Sequence, residues 1–145
     1  MVNGGSVKTR FNWAVAVLAG VLAVSVVSAS EKPPENYVAA MKAINTNNGA
    51  IRRQVAAKDY EGLATSVAAL KPAFETTLKF WQDKKVDDAI GWATDALKVT
   101  ADLETAVKAK DDAAIATAAT AIAGSCKTCH DAHRERQPDG SSMIK

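Results

Sequence analysis

The sequence predicts an all-α fold: an antiparallel up-down-up-down four-helix bundle behind an N-terminal export signal. Three observations predict it. From residue 31 onward the chain holds 24 Ala, and Pro72 is the one proline between Glu35 and Gln137. Apolar residues recur at spacings of three and four in four successive runs. Short charged segments separate those runs. Alanine has the highest intrinsic helix propensity, and this periodicity draws one apolar face along each helix. No run alternates with period two, and Asn48-Gly49 lies inside a helical pattern rather than between strands.

The first element is a signal sequence over residues 1–30. Lys8 and Arg10 precede an apolar stretch from Phe11 to Val27, and small residues follow at Ser28, Ala29 and Ser30. A basic start, an apolar centre and a small-residue end are the pattern of secretory cleavage, here after Ala29 or Ser30. An uncleaved anchor is the competing reading. The run is shorter than the ~20 residues a spanning helix needs. Residues 31–145 are then the mature domain, and export from a bacterial cell places it in the periplasm.

Pro33-Pro34 signals the start of the first helix. Its apolar line is Tyr37, Met41, Ile44, Asn48, Ile51 and Val55, weakened in the middle by Asn45–Gly49. Lys58-Asp59 connects to the second helix, with Asp59 as N-cap. That helix carries Leu63, Val67, Leu70, Phe74, Leu78 and Trp81 on one face. Pro72 inside it predicts a kink or a split. The third helix begins near Val86-Asp87 and carries Ile90, Ala93, Leu97, Thr100, Leu103 and Val107. Asp111 caps the fourth, whose face reads Ile115, Ala118, Ile122, Cys126 and Cys129. Gln137, Pro138 and Gly140 are read as its end, with a frayed tail beyond. Short connections make sequential helices antiparallel neighbours. A kinked three-helix arrangement is the alternative if two helices merge.

Charge and composition exclude several classes. The whole chain has 18 basic and 16 acidic residues. Losing Lys8 and Arg10 with the signal leaves 16 of each. A nucleic-acid binder relying on a basic surface is not expected. Two Cys exclude a disulfide-dense scaffold, and two His exclude a site built from many imidazoles. No phosphate-binding glycine loop and no nucleophile elbow occurs. Substrate turnover is not expected.

The chemistry is concentrated in Cys126-Lys127-Thr128-Cys129-His130, the C-x-x-C-H pattern of c-type haem attachment. Two thiols three residues apart can each form a thioether with one vinyl group, and the adjacent His supplies the proximal imidazole to iron. Three other readings compete. A disulfide between Cys126 and Cys129 closes a trivially short loop and gains little entropy. A thioredoxin-like pair needs a strand before it. A zinc site from Cys126, Cys129, His130 and His133 asks one helix face to surround an ion tetrahedrally.

This motif, on the last helix of an exported four-helix chain, resembles the class II c-type cytochromes, the cytochrome c′ and cytochrome c-556 group. The resemblance covers residues 34–137 and extends through His130-Asp131-Ala132-His133-Arg134. Arg134 matches the Arg found four residues after the haem His, while His133 replaces the usual aromatic. The resemblance implies one covalent haem on Cys126 and Cys129 and iron held by His130, while Arg134 is read either as a propionate contact or as a solvated side chain. It implies one-electron transfer with periplasmic redox partner proteins, no nucleic acid and no stable membrane insertion once the signal is cleaved. Homodimer formation stays open, as many relatives dimerise.

The two branches of the family differ in the second axial ligand. The c-556 type closes the distal face with a Met from the first helix. The c′ type leaves it open and binds gases such as nitric oxide. Met1 leaves with the signal and Met143 is read as tail. His133 lies one turn from His130 on the same helix. Met41 remains, and its setting Ala40-Met41-Lys42-Ala43 resembles the ligand-bearing stretch of the c-556 type. Its competing role is core filler. Tyr37 stands where many c′ proteins have an Arg. Phe74, Phe80, Trp81 and Trp92 are read as core aromatics, and Arg52-Arg53 and Lys84-Lys85 as solvated surface rather than docking patches. A haem-free helical binding module is the reading from another class.

Overall fold

The computed structural model describes Met1 and residues 30–145. The signal-sequence reading therefore falls almost wholly outside the described residues. The body is four helices in the predicted order: α1 (Glu35–Ala57), α2 (Tyr60–Lys84), α3 (Asp87–Ala109) and α4 (Asp112–His133). Each packs against its sequence neighbours, and α1 closes the ring against α4, the least intimate of the four contacts. The all-α four-helix bundle is thus the fold. Among the described residues, no helix is long and apolar enough to cross a membrane.

The connections are two residues long, and their chemistry repeats. Lys58, Lys85 and Lys110 each adopt the left-handed conformation, with φ of 54°, 57° and 52°. Their N–H groups donate to carbonyls of the helix just ended. Glycine ordinarily fills this position because it has no Cβ to clash. The next helix is then capped where an Asp is present. Asp59 accepts from the Gly62 N–H at 2.9 Å, and Asp111 from those of Ala113 and Ala114 at 3.1 and 3.0 Å.

The main core lies between the helices and includes Ile44, Ile51, Leu63, Leu70, Leu103 and Ile122. The predicted faces are occupied with small rotations. Ala89, Ala96 and Ala106 are buried on α3, while Ile90 and Leu97 sit at its edge. Pro72 does not split α2, which runs unbroken from Tyr60 to Lys84. Pro72 and Ala68 are both exposed, so water can satisfy the Ala68 carbonyl that loses its helical donor.

The C-terminal end departs from expectation. Helix α4 stops at His133, and the tail is not frayed. Strand β1 (Arg134–Arg136) pairs antiparallel with β2 (Ser142–Ile144), with Arg134 opposite Ile144. Pro138-Asp139-Gly140 makes the turn between them, with Gly140 at φ +85°. Ile144 is buried beside Tyr37, Trp81 and Ala89. Its backbone also pairs with Glu31, so the segment before α1 and the C-terminal strand meet here.

A candidate haem-binding site

Residues 126, 129 and 130 advance by roughly 300° and 100° around α4, which brings all three side chains to one side of the helix. That side faces a cavity of about 1160 Å³. Small-molecule pockets usually hold ~300–1,000 Å³, so this one has room for a large cofactor. It opens along the loose α1–α4 seam and reaches inward to Phe74, Thr77 and Trp81 of α2 and to Trp92, Ala93 and Ala96 of α3. The β1–β2 hairpin walls one end with Met143 and Ile144.

Both cysteines are free and half-buried. The Cys126 thiol lies 3.3 Å from the Ile122 carbonyl, to which it donates. Burial raises the pKa of both thiols, that of Cys129 to about 11. They are therefore protonated at neutral pH. His130 is shifted the other way: burial and then the Arg134 guanidinium lower its pKa. It presents a neutral imidazole, the form that binds a metal.

Met41 projects into the same cavity from α1 and packs against both buried clusters. Arg134 lines the cavity at the start of β1, where its charge acts on both His130 and Tyr37. All five predicted site residues, Cys126, Cys129, His130, Met41 and Arg134, thus line one cavity. Among the described residues, no group of three or more His, Cys, Asp and Glu is placed to hold a metal ion by itself.

The cavity also contains residues that sequence reasoning left out. Met143, set aside as tail, lines it beside Met41. The signal was present in Pro138-Asp139-Gly140, a turn sequence flanked by short extended segments. Phe74, Trp81 and Trp92 are wall residues, whereas Phe80 is not among them and instead stacks on Tyr37 at 4.2 Å between centroids. His133 is held by Asp88, 3.0 Å from its Nε2, and packs on Trp81 and Trp92 at 4.9 and 5.8 Å. Arg52, read as solvated surface, is exposed but lines the cavity mouth.

These residues fit a covalent haem. Two protonated thiols, a neutral imidazole and a thioether from a facing helix converge on one large space with apolar inner walls. Trp81 is only 1% exposed, and its Nε1 makes no hydrogen bond of normal geometry, with the Tyr37 hydroxyl as a polar neighbour. No protein-family model, curated protein or solved structure matches the chain.

Proposed function

We propose that this chain is a periplasmic monohaem c-type cytochrome of the class II bundle type, transferring single electrons between redox partners. One observation carries the reading. Cys126, Cys129 and His130, in haem-attachment spacing, line a cavity of about 1160 Å³ that Met41 enters from α1. Export is read from residues 1–30 alone.

Haem held there supplies a one-electron iron couple. Cys126 and Cys129 would anchor it through thioethers, formed by adding each thiol across a vinyl group. His130 would offer its neutral imidazole, and Met41 its thioether, to the iron. A methionine ligand and a dry apolar surround both favour the reduced state and raise the potential. Ile44, Phe74, Trp81 and Ala96, all buried, keep water from the inner wall. Arg134, which lines the cavity, would offer its guanidinium to a propionate.

Expression with a haem-maturation system tests this directly. Haem colour retained by the chain after denaturation, with a low-spin ferric spectrum, is the expected result. Absence of covalent haem would sink the reading in favour of a helical binding module. Covalent haem with a high-spin spectrum and ready carbon monoxide binding would replace electron transfer with cytochrome c′-like gas binding.

A further inference from the structure

The cavity mouth is strongly asymmetric in charge. Six basic residues line the cavity against two acidic ones, although residues 31–145 carry equal numbers of each. Of the six, Lys127 is paired with Asp131. The others are Lys32, Lys42, Arg52, Arg134 and Arg136. All five are exposed, and none lies within ion-pair distance of a carboxylate among the described residues. Asp139 is already engaged, accepting from the Ser141 N–H at 2.9 Å. Elsewhere on the bundle Lys58, Lys79, Lys84 and Lys108 are paired with carboxylates, while lone cations such as Lys71, Lys85 and Lys98 are not gathered around one opening.

Like charges gathered without partners raise the local potential and attract an anionic counterpart. A bound haem would bring two propionate charges against these five cations, so the opening keeps a basic excess. We propose that this basic rim docks the acidic face of a protein partner. Its role as the electron-transfer surface rests on the cytochrome reading; the docking itself does not. The rim surrounds a concave opening, and the mature domain has no net positive charge. Both features favour a local acidic protein patch over nucleic acid, which rewards an extended basic surface.

A fluorescent decaglutamate peptide serves as the probe, with binding to the full matured chain followed by anisotropy at low salt. Covalent haem occupancy is measured on the same preparation. The paired substitution Lys42→Glu/Arg52→Glu should weaken binding by about tenfold or more. The charge-matched control Lys71→Glu/Lys98→Glu, on α2 and α3 outside the cavity, should change it less than about twofold. Both pairs are exposed, and matching thermal melts establish that the fold is kept. Equal losses in the two variants would show an effect of net charge alone and overturn the proposal. No binding to decaglutamate would also overturn it, as would tighter binding to a single-stranded oligonucleotide or to phosphatidylglycerol vesicles. Absent haem would defeat the cytochrome reading while leaving the comparison of variants readable.

Discussion

Glu31 and Ile144 exchange both of their backbone hydrogen bonds, each 2.8 Å long. This bridge joins the segment before α1 to the C-terminal strand, of which Ile144 lines the cavity. Lys84 forms an ion pair with Glu31, and the Lys145 N–H donates to the His133 carbonyl at 3.2 Å. The tail is therefore a fastened wall of the site. Replacing Ile144, 8% exposed, with Ala should cost about 2 kcal/mol. Urea denaturation of the wild type and variant measures it, and an unchanged midpoint would mean the tail contributes no packing.

Two methionines line the cavity, and spectroscopy separates them. Met41→Ala should convert low-spin haem to high spin and open the iron to carbon monoxide. Met143→Ala should leave the spin state unchanged. The reverse pattern would transfer the ligand role from α1 to the hairpin.

Each thiol is expected to hold one thioether. Cys126→Ser and Cys129→Ser should each reduce covalent haem, and the double variant should abolish it on a denaturing haem-stained gel. Full retention in the double variant would exclude this attachment site.

Tyr37 gives a pH dependence. Burial raises its pKa above the ordinary value of 10.0. The folded chain then holds the phenolic proton after the unfolded chain has released it. Stability from this group is complete below about pH 10 and declines as pH rises past it. Tyr37→Phe should reduce the loss of melting temperature between pH 9 and pH 11, relative to wild type. An identical loss in both proteins would remove Tyr37 as the cause.

Lys85 occupies a left-handed position with φ 57° and no ion pair among the described residues. Lys85→Gly should stabilise the bundle by about 0.5–1 kcal/mol, since glycine avoids the Cβ clash there. Chemical denaturation decides it, and a loss of stability would show that Lys85 makes contacts worth more than the strain.

Helix positions were legible because they depend on local chemistry. Asp59 and Asp111 cap where their sequence context places them, and the three-four spacing marks the buried faces. The placing of Cys126, Cys129 and His130 on one side of a helix was legible for the same reason: they lie close along the chain. The end of α4 was not. A C-terminal helix boundary depends on competition between continued helix and hairpin pairing, and Ile144 decides it by burying itself against Tyr37 and Trp81.

The sequence by itself determined four helices, their order, and the placing of Cys126, Cys129 and His130 on one helical face. These follow from the 3.6-residue period and from residues close along the chain. The tertiary structure alone decided what those three residues face. The cavity is lined by both α1 and α4, whose mutual contact is the least intimate of the four. Met143 joins Met41 there because the tail folds back, and Lys32, Lys42, Arg52, Arg134 and Arg136 share its mouth though they span more than a hundred positions. Packing between distant segments sets such neighbours, and no local pattern encodes it.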